Sequence, residues 1–178
     1  MKLEKVISPI KNEMVSFRKL LKKSISSNNI LIDEVINYIL KRKGKQIRPV
    51  IVFLSSGICG KINDSTLRAA VLIEILHTAT LIHDDVVDES NYRRGYFSIN
   101  AIWKNKYSVL IGDYLLSSGL TFSLENDDFK FLKVLSNSVK EMSEGEIIQM
   151  KKSKSLDLDE ELYFKIIEKK TADRKSVV

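Results

Sequence analysis

Turn-forming residues are scarce in this chain, and their scarcity constrains its fold more than any other feature. Only seven Gly and two Pro occur among 178 residues, and strict alternation of apolar and polar residues is hard to find. Apolar residues instead recur at steps of three and four, as in the stripe Val6, Ile10, Met14, Phe17 and Leu21. This spacing puts them on one face of an α-helix. With 44% hydrophobic residues available for a core, the sequence predicts an all-α fold.

The predicted helices follow one another without an internal repeat or an interdomain linker. Pro49 suits the first turn of a helix, where its missing N–H costs little. Asn63-Asp64-Ser65 reads as the loop and N-cap of a long helix. Asp157 and Glu160 have capping-box spacing before the last helix. We expect one all-α domain over residues 1–178 and no second domain, with helices at 6–21, 32–40, from 49, 67–88, 107–124, 129–150 and 158–170.

Cysteine usage and apolar run lengths bear on the location of the protein. Cys59 is a lone thiol and cannot build a disulfide framework, so a reducing, cytoplasmic setting is expected. No long apolar stretch follows the lysines near Met1, which argues against a signal peptide. The longest apolar runs fall far below the roughly 18 residues of a membrane span. We therefore expect no transmembrane segment.

The charge balance favours anionic partners without choosing among them. The net charge is +6, and much of the excess lies in a run of basic residues at Lys41, Arg42, Lys43, Lys45 and Arg48. Charge alone fits nucleic acid, anionic lipid or phosphorylated small molecules, and it fits a solvated loop best of all.

The most informative segment is acidic and ends a very apolar predicted helix. At 100° per residue, His77, Asp84 and Asp88 fall within about 40° of one another on one helix face. Carboxylates four residues apart repel each other, and Mg²⁺ would offset that repulsion because it prefers oxygen ligands completed by water and phosphate oxygens. Alternatively, these acids are solvated or paired with Arg93 and Arg94. Basic groups on both sides of the acids favour a diphosphate held partly through metal and partly by direct contacts.

Five sequence blocks, in order, resemble the trans-type polyprenyl diphosphate synthases. Asp84-Asp85-Val86-Val87-Asp88 with Arg93-Arg94-Gly95 is similar to the first aspartate-rich motif of that family, and Gly44-Lys45-Gln46-Ile47-Arg48-Pro49 to its basic loop. The other three blocks are Gly112-Asp113-Tyr114-Leu115-Leu116, Gly145-Glu146-Ile147-Ile148-Gln149 and Lys170-Thr171-Ala172. The resemblance implies the helical bundle of the isoprenoid synthases and a long-chain enzyme, usually a homodimer. Its reaction joins isopentenyl diphosphate to an allylic prenyl diphosphate with Mg²⁺ as cofactor.

The resemblance also implies roles for individual residues. Lys45, Arg48, His77 and Arg94 would hold isopentenyl diphosphate. Asp84 and Asp88 would bind Mg²⁺, with Asp85 supporting them in a catalytic set that also includes Lys170. The allylic diphosphate would be held by Arg93, Lys170 and Thr171. His83 lies off the Asp84 face, and we interpret it as structural.

The chain departs from the family pattern in two places. Lys43 stands where the family often has a second Gly, and Gln46 where it often has a basic residue. No second Asp-x-x-x-Asp motif follows Asp88, so we expect the chain to correspond to the N-terminal portion of a synthase. A non-catalytic scaffold or partner subunit of the same fold is the alternative. A phosphohydrolase at His83-Asp84 would need more His ligands than the two present, and the acidic segment counts against nucleic acid.

Product length is the last expectation. Thr80 and Ala79 lie four and five residues before Asp84, where similar short-chain synthases carry bulky aromatic residues. Two small side chains would leave the groove open for a long prenyl chain. Alternatively, they only allow close helix packing, with Thr80 bonded back to a backbone carbonyl.

Overall fold

The structure, a computed structural model, describes residues 3–41, 44–93, 95–155 and 160–169, and it confirms the all-α prediction. Its helices are α1 Leu3–Ile7, α2 Lys11–Ile25, α3 Ile30–Lys41, α4 Ile47–Cys59, α5 Asp64–Val87, α6 Ile99–Glu125, α7 Phe129–Ser155 and α8 Glu160–Ile167. The 3₁₀ turn Ser8–Ile10 joins α1 to α2, and two short strands, β1 Tyr92–Arg93 and β2 Tyr96–Phe97, lie between α5 and α6.

The chain divides into two compact units, Met1–Asp127 and Asp128–Val178. In the first, α5 is the central helix and packs against α2, α4 and α6. Its apolar residues are buried along much of its length, including Ala70, Val71 and Ile75. The expectation of one domain over residues 1–178 stays a prediction.

By length and composition alone, α5 could cross a membrane; half of its most apolar window is buried within the fold. A core helix of a soluble protein passes the same test, and α5 lies among three other helices of its unit. Asp84 and Asp85 also fall within its last turn. We therefore describe α5 as the core helix of the first unit.

The start of α5 is fixed by the cap that the sequence predicts. The Asn63 side chain accepts a hydrogen bond from the Thr66 backbone N–H at 2.9 Å, and the Thr66 hydroxyl bonds back to the Asn63 N–H. This reciprocal pair satisfies two backbone donors that no helix carbonyl can reach. Thr66 Oγ1 also lies 2.9 Å from Ser56 Oγ near the end of α4. The helices α4 and α5 therefore form an antiparallel hairpin.

An aromatic contact holds α2 against α4. Phe17 and Phe53 are fully buried, and their rings meet edge to face with centroids 6.5 Å apart. Such pairs add to the free energy of area burial. The contact fixes the residues next to Phe17 on α2 relative to α4, including Arg18.

The region after α5 differs most from the sequence prediction. The β1–β2 hairpin was not predicted; it pairs Tyr92 with Phe97 and turns at Gly95, whose φ of +83° suits glycine. The helix predicted from about Tyr107 to Leu124 corresponds to the later part of α6, whereas the earlier part, which begins at Ile99, was not predicted. Lys104 interrupts α6 with a φ of 69° and a ψ of 162°, so the helix consists of two segments across a kink.

In the second unit, an ion-pair cluster joins α7 to the residues that follow α8. Lys169 Nζ donates hydrogen bonds to Glu141 and, at 2.9 Å, to Glu144. These two acids, Glu141 first, raise the pKa of the Lys169 ammonium group above its ordinary value. The predicted capping residue Asp157 lies outside the described residues.

Candidate functional site

The acidic turn, defined here as Asp84, Asp85 and Asp88, closes the C-terminal end of α5. Asp84 is half-buried, whereas Asp88 is exposed and forms the C-cap. The Asp88 backbone N–H donates to the Asp84 carbonyl oxygen at 2.8 Å. The face that carries His77, Thr80 and Asp84 is half-buried, and it opens to solvent at Asp88. The structure therefore places the two predicted metal ligands on one opening face of the core helix.

Asp85 points the other way, into the fold, and is bound by Arg93. Its side chain is 6% exposed, and its Oδ1 accepts a hydrogen bond from Arg93 Nε at 2.7 Å. The Asp85 carbonyl oxygen accepts a second bond from the Ser90 N–H. For Asp85, then, the alternative of an acid paired with a neighbouring arginine is what the structure shows.

The acidic turn suits a cation that takes oxygen ligands. Two carboxylates share a helix face, and the C-terminal end of α5 adds the partial negative charge of its last carbonyls. Among the residues that the structure describes, no group of three or more His, Cys, Asp or Glu is arranged to hold a metal ion. Two carboxylates fit Mg²⁺, which keeps several waters and takes substrate phosphates as ligands, better than they fit a metal enclosed by protein.

The basic loop, defined here as Gly44–Arg48, leads into α4. Lys45 is exposed, Arg48 is half-buried in the first turn of α4, and Pro49 follows in that turn as predicted. Gln46 caps the helix in the left-handed region, with φ 47° and ψ 43°. Its Oε1 accepts a hydrogen bond from Arg18 Nε of α2 at 2.9 Å. Sequence analysis did not find this contact, because 28 residues separate its partners.

The antiparallel hairpin of α4 and α5 sets the order of the site residues. Arg48 lies eight residues before Ser56, and Glu74 lies eight residues after Thr66, which is about 12 Å along each helix. The basic loop is therefore level with the middle of α5, close to the turn that carries His77. Asp84 lies seven residues after His77, about 10 Å further along the same helix. The basic loop, His77 and the acidic turn thus follow one another toward one end of the hairpin.

His83 supports the acidic turn from the side of α6. Its Nε2 lies 3.3 Å from Asp113 Oδ1 and 3.3 Å from the Val109 carbonyl oxygen. A Cβ added to Gly112 would lie 2.3 Å from the same nitrogen, so the ring needs a glycine beside it. This packing agrees with the interpretation of His83 as structural, and it gives Gly112 and Asp113 a common partner.

Ala79 and Thr80 have different environments. Ala79 is 1% exposed and belongs to the hydrophobic core, so it allows close packing of α5. Thr80 is half-buried and its hydroxyl donates to the His77 carbonyl oxygen at 2.9 Å. Both observations match the alternative in which these small residues allow close helix packing. Thr80 nevertheless lies on the same face of α5 as Asp84, one turn before it. Three further predicted site residues, Arg94, Lys170 and Thr171, lie outside the described residues.

Known proteins share both the sequence and the fold of this chain. The sequence pattern of the family described as polyprenyl synthetase matches residues 29–177. The octaprenyl diphosphate synthase of Escherichia coli (strain K12) is 37% identical over 172 residues, which cover 97% of this chain and 53% of that protein. The all-trans-nonaprenyl-diphosphate synthase (geranyl-diphosphate specific) of Rhodobacter capsulatus is 35% identical over 168 residues, which cover 94% and 52%.

Two crystal structures extend the comparison to the fold. A decaprenyl diphosphate synthase from Rhodobacter capsulatus superposes with a TM-score of 0.91 at 31% identity, over 99% of this chain and 55% of that one. A polyprenyl synthase from Caulobacter crescentus CB15, in complex with calcium and isoprenyl diphosphate, gives 0.90 at 30% identity, over 99% and 54%. The chain spans about half the length of these relatives. From its sequence pattern and its fold together, the chain belongs to the polyprenyl synthetase family.

Proposed function

We propose that this chain carries the diphosphate-binding part of a long-chain polyprenyl diphosphate synthase. In this reaction isopentenyl diphosphate is condensed with an allylic prenyl diphosphate to give an all-trans product. The observation that carries the proposal is the position of Asp84 and Asp88 on one opening face of α5, with the basic loop further back along the same hairpin. In that arrangement, the site that binds a cation is separate from the site that binds a diphosphate by direct contacts. Two diphosphate substrates require two such sites.

The two parts of the site have different tasks. Lys45, Arg48 and His77 hold the diphosphate of isopentenyl diphosphate by direct contacts, with Arg94 as a further partner. Arg93, Lys170 and Thr171 hold the allylic diphosphate. Arg93 uses Nε for Asp85, and its guanidinium group has four further N–H donors for a phosphate. Through that bond Asp85 orients Arg93, and this gives a physical basis for its supporting role.

Asp84 and Asp88 would hold Mg²⁺. The bound ion supplies positive charge that stabilises the departing diphosphate of the allylic substrate. The relative from Caulobacter crescentus, whose structure contains calcium and isoprenyl diphosphate, supports a divalent cation in this family. The basic residues add to the same stabilisation, and no nucleophilic side chain is required.

A long product is supported by the relatives and by the face of α5. The similar proteins are named as octaprenyl and nonaprenyl diphosphate synthases. Thr80 is the small residue that lies half-buried on the Asp84 face, whereas Ala79 is inside the core. A bulky residue at position 80 is therefore the cleaner probe of a groove, since one at position 79 would disturb packing.

The proposal includes a cytoplasmic homodimer that binds no nucleic acid. A dimer is supported by large apolar side chains that α6 exposes, among them Leu110 at 63% and Leu124 at 52%. Exposed apolar residues along one helix favour association with a second surface.

The proposal is tested by binding of an allylic diphosphate in the presence and absence of Mg²⁺. Asp84→Asn should weaken Mg²⁺-dependent binding of geranyl diphosphate at least tenfold, or about 1.4 kcal/mol, because one of two carboxylate ligands loses its charge. Isothermal titration calorimetry with Mg²⁺ and with EDTA measures the effect. Asp64→Asn, at the exposed first residue of the same helix, is the matched control and should leave the affinity within twofold of wild type.

Two outcomes would contradict the proposal. If EDTA and Asp84→Asn both leave the affinity unchanged, the acidic turn is not a metal site. If wild type binds neither Mg²⁺ nor the diphosphate, the chain behaves as the non-catalytic scaffold that the sequence left as the alternative.

A further inference from the structure

Arg18 lies outside every motif, yet it reaches the basic loop. Its Nε donates to the Oε1 of Gln46 at 2.9 Å, between Lys45 and Arg48 in sequence. Gln46 is the position where a basic residue is often found in similar synthases. The structure therefore brings a guanidinium group from α2 to the neutral side chain that lies between Lys45 and Arg48 in the loop.

The position of Arg18 is set by packing, although its side chain is exposed. The preceding residue, Phe17, is fully buried against Phe53 of α4. Gln46 immediately precedes α4, and its hydrogen bond with Arg18 shows that its side chain faces α2. The Arg18 backbone is thus held beside the loop before any ligand binds.

The surroundings of Arg18 also favour an anion. Arg18 lines an open, largely apolar groove of about 620 Å³ together with Val15, Ser26 and the lysines Lys19, Lys22 and Lys23. Four positive side chains on one helix face raise the local concentration of anions. Arg18 is shared by this groove and the loop contact. Its bond to Gln46 uses Nε and leaves the two terminal NH₂ groups as donors with the geometry that phosphate oxygens accept.

We propose that Arg18 is a further diphosphate-binding residue, which supplies to the basic loop the charge that Gln46 lacks. It contacts the same non-allylic diphosphate as Lys45 and Arg48. This inference rests on the proposed function of the basic loop. The competing role is structural: the hydrogen bond helps to hold Gln46 in a left-handed conformation that costs a non-glycine residue free energy.

The test measures the affinity for isopentenyl diphosphate in EDTA, so that metal at the acidic turn does not contribute. Arg18→Gln keeps an amide near Gln46 and removes the charge, and it should weaken binding about fivefold at low salt, as expected for an exposed charge-assisted contact. The double variant Arg18→Gln with Gln46→Arg moves the charge to the other partner and should restore affinity to within twofold. Lys61→Gln, which removes an exposed charge in the loop between α4 and α5, is the matched control and should change affinity less than twofold.

Salt separates the two roles. If Arg18 binds the anion, the difference between wild type and Arg18→Gln should shrink toward twofold or less in 0.5 M NaCl, where exposed charges are screened within about 4–5 Å. A difference that persists in salt, or a double variant that fails to recover, assigns Arg18 to loop structure and overturns the inference. If Arg18→Gln binds like wild type while Arg48→Gln loses affinity, the inference fails and the proposed function stands. If wild type itself does not bind isopentenyl diphosphate, both fail.

Discussion

The acidic turn and the basic loop are built in opposite ways. The acidic turn ends the core helix α5, and it is held by the Asp85–Arg93 ion pair, by the packing of His83 against Gly112, and by backbone hydrogen bonds. The basic loop is exposed at Gly44, Lys45 and Ile47, and its Gln46 is held through the long, exposed side chain of Arg18. One region is fixed by the core, and the other is positioned at the surface.

The difference follows from what each region has to hold. Carboxylates brought together without a cation repel one another, so the fold itself must supply the rigidity that keeps them close. Lysine and arginine side chains keep water around their charged ends and lose it only when a phosphate arrives. A rigid acidic turn and an adaptable basic loop can therefore coexist on one hairpin, and each makes its own prediction about mutation.

The largest effect is expected where the acidic turn depends on a buried ion pair. Asp85→Ala should lower the free energy of unfolding by about 2–3 kcal/mol, because Arg93 is left without its partner; a fully buried pair would cost more, but the Arg93 side chain is 31% exposed. Asp88→Ala, at the exposed end of the same turn, should change stability by less than about 0.5 kcal/mol. Urea denaturation of both variants measures the contrast.

The same two variants distinguish the residue that stabilises the acidic turn from the residue that binds the metal. Asp88→Ala should lose Mg²⁺-dependent diphosphate affinity at nearly full stability, whereas Asp85→Ala loses stability first. Equal stability for the two variants would show that the acidic turn is not held by Asp85, and the contrast with the basic loop would disappear.

Much of this site could be predicted from local sequence. The spacing of Asp84 and Asp88 fixes a shared face on any α-helix, and the segment Asn63-Asp64-Ser65 has residue types that cap one. Pro49 similarly marked the first turn of α4. These features depend on neighbours within a few residues, so periodicity and capping preference were enough to find them.

The contacts that distinguish the two regions could not be predicted in the same way. Arg93 reaches Asp85 because the chain folds back between α5 and β1, where the Ser90 N–H bonds to the Asp85 carbonyl oxygen, and two-residue strands leave no alternating pattern to detect. Arg18 reaches Gln46 only because Phe17 and Phe53 pack two helices together. Gly95 beside the two arginines was the one local signal for the hairpin. Such contacts depend on how the helices and strands pack together, and local patterns in a single sequence do not reveal that packing.

A smaller effect is expected at the glycine beside His83. Gly112→Ala places a methyl group 2.3 Å from His83 Nε2, so the ring must leave Asp113 and Val109. The gain in helix propensity offsets part of the overpacking, and the net loss should be about 1 kcal/mol. Gly57→Ala on α4 is the matched control: its new methyl group meets only Ile62 at 3.9 Å, and it should stabilise the protein by about 0.5–1 kcal/mol. Thermal unfolding of both variants would reveal opposite signs; a stabilising Gly112→Ala would mean that His83 moves freely and does not support the acidic turn.

The smallest effect should come from a conservative change in the basic loop. Arg48→Lys keeps the charge but replaces a planar fork of donors with a single ammonium group, so affinity for isopentenyl diphosphate should fall about threefold. Lys45→Arg makes the reverse exchange at an exposed position and should stay within twofold of wild type. Both variants keep the charge of wild type, and titration calorimetry in EDTA compares their affinities for isopentenyl diphosphate. If wild type and Arg48→Lys bind with equal affinity, the loop recognises its anion by charge alone. The half-buried Arg48 would then be as adaptable as the exposed residues of the loop.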